Sequence, residues 1–106
     1  MNIATCSLIM SIHPAMADSL PVEGSVVSGS ASISKTSDVM TINQSTSSAT
    51  ITWDSFSIGS GNTVNFIQPS SSSVALNKVL GSNPSQIFGT LNANGHVFLS
   101  NPNGIL

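Results

Sequence analysis

Apolar and polar residues alternate along much of this chain with a period of two. Met40, Ile42 and Gln44 share one parity, and Ala49, Ile51 and Trp53 share the next. The parity then shifts at Asp54-Ser55, so that Phe56 and Ile58 fall together. Farther on, Val64 pairs with Phe66, Val74 with Leu76, and Val97 with Leu99. Successive side chains of an extended strand point to opposite faces, so this period predicts strands with one buried side. No helical period interrupts it. The shift at Asp54-Ser55 predicts a corner or a bulge. Further strands are expected around Ile87 and Leu91.

The breaks between strands have their own chemistry. They are Ser45 to Ser48, Gly59-Ser60-Gly61-Asn62, Gln68-Pro69-Ser70, Gly81-Ser82-Asn83-Pro84, Asn92-Ala93-Asn94-Gly95 and Asn101-Pro102-Asn103-Gly104. Pro pre-sets φ, while Asn and Gly tolerate φ above zero. The last break fits a type I turn, with Asn first, Pro second and Gly fourth. Strands punctuated by turns about every ten residues fit an antiparallel sandwich or a solenoid of stacked coils. Local periodicity does not separate the two. Asn and Ser at many turns favour the solenoid, where like residues stack and pair their amides.

Composition narrows the function classes. The 106 residues suffice for one small domain. Charged residues make up 6% of the chain, against about a quarter in typical domains. Ser, Thr and Asn take their place, giving a surface that hydrogen-bonds rather than forming ion pairs. The net charge is -2, and Lys35 and Lys78 are the only permanent cations. The chain therefore has no phosphate-neutralising surface, and no nucleic-acid partner is expected. The acids are Asp18, Glu23, Asp38 and Asp54. They do not suggest the facing carboxylates of a glycosidase. Gly59-Ser60-Gly61 is too short for a phosphate loop and lacks a following Lys. His96, between Gly95 and Val97, has no neighbouring metal ligand in sequence and reads as a solvated side chain. No catalytic residue, cofactor or metal is expected, and the chain does not read as an enzyme. Trp53 and Phe56 read as core or corner packing. The rival reading, an exposed platform for sugar stacking, would need more than one Trp.

The N-terminus reads as an export signal. Ile3 to Ile12 is mostly apolar. It is far shorter than the roughly 20 residues of a membrane-spanning helix. His13-Pro14 ends it, and Ala15-Met16-Ala17 fits an A-x-A cleavage site. Residues 1–17 are therefore expected to be a signal peptide. No Lys or Arg precedes Ile3, so an incomplete n-region is expected. The sole cysteine, Cys6, would leave with this segment, so the remainder, 18–106, would hold no disulfide.

The segment Gly89-Thr90-Leu91-Asn92-Ala93-Asn94-Gly95-His96-Val97-Phe98-Leu99-Ser100-Asn101-Pro102-Asn103-Gly104-Ile105 resembles the two-partner-secretion domain of filamentous-haemagglutinin-type exoproteins, also called the haemagglutination activity domain. Upstream pieces agree in order: Thr41-Ile42-Asn43-Gln44, Ile51-Thr52-Trp53-Asp54-Ser55-Phe56-Ser57-Ile58-Gly59, Val64-Asn65-Phe66-Ile67-Gln68-Pro69-Ser70 and Val74-Ala75-Leu76-Asn77-Lys78-Val79. The resemblance spans about Leu20 to Leu106. A second family motif, Asn-Pro-Asn-Leu, is absent, as it is in some branches.

The resemblance implies an all-β fold, a right-handed parallel β-helix (β-solenoid). Leu20 to Ser34 would form an N-terminal capping element, and the C-terminal part would be incomplete, because the family's domain is longer. The implied role is secretion recognition for a large exported adhesin, which would reach the bacterial cell surface or be secreted by way of the periplasm. The implied partner is an outer-membrane β-barrel two-partner-secretion transporter with periplasmic domains. A host-cell or glycan receptor would be engaged through downstream regions. Asn101, Pro102, Asn103, Gly104 and Ile105 would be the secretion and folding motif. The alternative is a free-standing surface or carbohydrate-binding β module.

Overall fold

The computed structural model describes residues 19–106, so the expected signal peptide, with Cys6, lies outside the described residues. Eight strands follow in order: β1 (Ser25–Ser28), β2 (Ala31–Lys35), β3 (Val39–Gln44), β4 (Ser48–Trp53), β5 (Thr63–Ile67), β6 (Val74–Val79), β7 (Thr90–Ala93) and β8 (His96–Ser100). Among the described residues there is no helix. The strands form two four-stranded sheets, ordered β1-β4-β6-β8 and β2-β3-β5-β7.

Consecutive strands from β3 onward alternate between the sheets, and within each sheet these strands run parallel. That arrangement selects the stacked solenoid over the antiparallel sandwich. The chain forms a coil, returns to the first sheet and lays the next strand beside the last. Val39 pairs with Thr63, and Thr63 with Thr90, so each of these steps along the chain is one complete coil. A short third side closes each coil, with parallel bridges Ile58 to Ile87 and Ser85 to Ile105. Ile87 thus lies in a single bridge rather than in the strand expected there.

The opening segment is different. β1 pairs antiparallel with β4, and β2 antiparallel with β3, so both lie at the outer edge of the first coil. Backbone bonds Val22 N to Ser55 O (2.9 Å), Asp54 N to Val22 O (2.9 Å) and Gly59 N to Ser19 O (3.0 Å) tie the preceding residues over the same end. Leu20 and Pro21 are buried there. This closes the apolar end that a solenoid otherwise leaves open.

The core runs through the coils. One sheet supplies Met40, Ile42, Val64 and Phe66, the other Ala49, Ile51, Trp53, Ala75 and Val79, and the third side Phe56 and Ile58. Each large side chain buried here contributes about 1.5–3 kcal/mol relative to exposure. Trp53 and Phe56 meet edge to face, with ring centroids 5.4 Å apart. Ser55, Phe56, Ser57 and Ile58 are all buried, because this segment turns the expected corner instead of alternating.

One parity reads differently in three dimensions. β6 buries Ala75, Asn77 and Val79 and turns Val74 and Leu76 outward. Its register on β4 sets this, since Ala49 stacks on Ala75, Ile51 on Asn77 and Trp53 on Val79. Asn77 is tolerated inside because its amide is satisfied. It accepts from Trp53 Nε1 at 2.9 Å and donates to Phe98 O at 3.2 Å.

Candidate functional site

The turn Asn101–Ile105 leaves β8 and forms part of the third side. Gly104 N donates to Asn101 O at 3.0 Å, the bond that closes a four-residue turn. Asn101 Oδ1 accepts from Asn103 N at 2.9 Å, which pins the turn from inside. Gly104 has φ +107°, a region that side-chain-bearing residues rarely adopt, with no heavy atom within 4 Å of where a Cβ would stand. The need for Gly is therefore conformational rather than steric.

Both Asn side chains reach back to the preceding coil. Asn101 Nδ2 donates to Asn83 O and to Ser85 Oγ, both at 3.0 Å. Asn103 Nδ2 donates to Gly81 O at 2.8 Å and to Asn101 Oδ1 at 3.1 Å. The backbone adds Ser85 N to Gly104 O (2.9 Å), Leu106 N to Ser85 O (2.7 Å) and Ile87 N to Leu106 O (3.0 Å). Ser85 is fully buried beneath the turn. Pro102, Asn103, Gly104 and Ile105 are exposed, and Asn101 is half-buried. The arrangement is a staple between coils: the two amides reach the carbonyls of Gly81 and Asn83 and the Ser85 hydroxyl.

Trp53 and Phe56 lie away from this turn, in the first coil. Each is 1% exposed, so neither offers a ring face for sugar stacking. His96 is exposed at the start of β8. Among the described residues, no three His, Cys, Asp or Glu side chains gather to hold a metal.

Buried amides were the part that apolar periodicity passed over. Gln44 Nε2 donates to Thr46 O at 2.7 Å and to Val74 O at 3.1 Å. Gln68 Nε2 donates to Gln44 Oε1 at 3.3 Å and to His96 O at 3.1 Å, while its Oε1 accepts from Gly95 N at 2.9 Å. A Cβ on Gly95 would lie 2.9 Å from the Gln68 side chain, so the amide occupies the space a larger residue would need. The signal was present in the sequence: Gln44 shares parity with Met40 and Ile42, and Gln68 with Val64 and Phe66. On the surface, Asn92 Nδ2 donates to Asn65 Oδ1 at 3.0 Å, an amide pair between stacked coils.

The family model described as "TPS secretion domain" matches residues 17–106. The chain is 50% identical over 92 residues to a heme/hemopexin-binding protein of Haemophilus influenzae strain Rd, covering 87% of this chain and 10% of that protein. It is 48% identical over 87 residues to a second Haemophilus influenzae heme/hemopexin-binding protein, covering 81% and 9%. The chain thus spans about a tenth of the length of the curated relatives it matches. Among solved structures it is similar to the HMW1 secretion domain from Haemophilus influenzae, with TM-score 0.76 and 36% identity over 80% of this chain and 23% of that one.

Proposed function

The chain belongs to the TPS secretion-domain family, and we propose that it is the secretion-recognition domain of a large exported, adhesin-like protein. Its partner is an outer-membrane β-barrel transporter, recognised through periplasmic domains. During export the chain is extended, and segments such as Ser47 to Ile58 or Val64 to Gln68 add to a sheet edge of the transporter through main-chain hydrogen bonds. Outside the cell the same segments stack as a right-handed parallel β-helix, which nucleates folding of the downstream chain.

The observation that carries this reading is the staple at Asn101–Ile105. Its amides bind the previous coil, so the motif acts by closing one coil onto another. Folding on the far side then opposes return of the chain. The test is co-expression with the cognate transporter of the unaltered chain, of Asn101→Ala/Asn103→Ala, and of Asn65→Ala/Asn92→Ala as a control for an exposed amide pair. The first double variant loses three bonds to the preceding coil. Each such bond is worth about 0.5–1.5 kcal/mol. That variant should reach the medium several-fold less than the control. Equal export of all three chains would remove the motif from the mechanism.

A further inference from the structure

Two lines of buried side-chain hydrogen bonds run from coil to coil through the core. In the first, Trp53 Nε1 binds Asn77 Oδ1, and Asn77 Nδ2 binds Phe98 O, so the line crosses β4, β6 and β8. In the second, Gln68 joins Gln44 in the coil before it to Gly95 N and His96 O in the coil after it. Asn94 reinforces the second line, accepting from Gln68 N at 2.7 Å and donating to Gln68 O at 2.8 Å. Asn77 is fully buried, and Gln44 and Gln68 are nearly so.

On the third side, buried serines also make polar contacts between coils, Gln86 N to Ser57 Oγ and Asn101 Nδ2 to Ser85 Oγ, both at 3.0 Å, but the apolar packing of the two sheets carries no directional information of this kind. A strand that slips by one residue turns its apolar side outward, but a slip of two preserves the alternation. Ile, Val, Phe and Ala side chains fit either register approximately. The outer columns are equally permissive: Thr41, Asn65 and Asn92 form one, and Asn43 and Ile67 the next. A two-residue slip moves a side chain about 6.7 Å along the strand, far beyond hydrogen-bond reach. Each buried amide left without a partner then weighs against the slipped state by roughly ten- to a hundred-fold.

We propose that these buried amide lines are a register lock: they select one stacking of the coils from a set that apolar packing alone would leave nearly equivalent. Each amide is completed by the following coil, so correct placement of one coil is tested by arrival of the next. The lock stands on the internal geometry and does not depend on the identity of any transporter.

Disulfide trapping reads the register directly. In the full chain with Cys6→Ser, the pair Thr63→Cys/Thr90→Cys reports the native register, because these residues are in-register partners. The pair Thr63→Cys/Asn92→Cys reports a slip of two. In the native register the second pair lies about 8 Å apart, beyond disulfide reach, whereas in-register partners lie within it. With the amides intact, only the native pair should close. The polar lines are then removed by Gln44→Met, Gln68→Met, Trp53→Phe, Asn77→Val and Asn94→Ala together. The expected result is a chain that keeps its strand signal in circular dichroism while closure of the slipped pair rises roughly ten-fold or more. A folded variant that closes only the native pair overturns the proposal. Should the quintuple variant not fold, Gln68→Met/Asn94→Ala alone carries the same test. Loss of fold in both also overturns it, because the amides would then supply stability rather than a choice of register.

Discussion

The first and third coils are made from the same alternation and differ in what covers them. In β3, Met40, Ile42 and Gln44 are buried; in β7 every residue is exposed. Leu91 stacks in register on Val64, which is fully buried, yet Leu91 is itself 37% exposed. Intrinsic hydrophobicity does not account for the contrast. Among the described residues, β3 lies between β2 and β5, whereas β7 has a neighbour on one side only. In a solenoid, an inward side chain is covered by the coils above and below it. Burial is therefore a property of position in the stack as much as of the strand's own pattern.

A graded set of substitutions sharpens or breaks that contrast. Trp53→Ala empties the first coil's centre and strips Asn77 of a partner. It should show the largest loss, about 3–5 kcal/mol by denaturant unfolding. Next comes Ile42→Ala at about 2–5 kcal/mol, against less than about 1 kcal/mol for Leu91→Ala. Leu91, at 37% exposure, has less burial to lose than the fully buried Ile42. Equal costs for these two would break the comparison. Gly104 has open space where a Cβ would stand, so there is no steric clash to relieve. Gly104→Ala should cost about 1–2 kcal/mol in the same unfolding measurement, through its φ alone. The smallest effect belongs to Asn92→Ala, within about 0.5 kcal/mol. Its partner Asn65 turns to water once the pair is gone.

Much of the fold was legible in the alternation. Val64 with Phe66, and Ala49 with Ile51 and Trp53, face inward as their spacing implies. The shift at Asp54-Ser55 marked the corner where Ser55 to Ile58 leave the strand pattern. Val74 and Leu76 were ambiguous, because a single strand does not say which of its two faces is the inner one. In β6 the answer comes from register on β4, a contact between residues far apart in the chain. Asn77 was invisible to apolar counting for a related reason. A polar residue is acceptable in the core once its partners are in place. Those partners, Trp53 and Phe98, arrive only with the neighbouring coils. The turn at Asn101 was legible as backbone chemistry, but its grip on Gly81, Asn83 and Ser85 was not. Side-chain amides bonded across coils leave no local periodicity to read.

The seat of Trp53 has a practical consequence. The chain has one Trp and no Tyr, so ultraviolet emission comes essentially from a single indole. That indole is enclosed between coils and holds its N–H on Asn77. Assembly of the first two coils should shift the emission to shorter wavelength, and their separation should return it toward that of an indole in water. The protein thus carries a built-in optical gauge, positioned to time the winding of the stack without any attached dye.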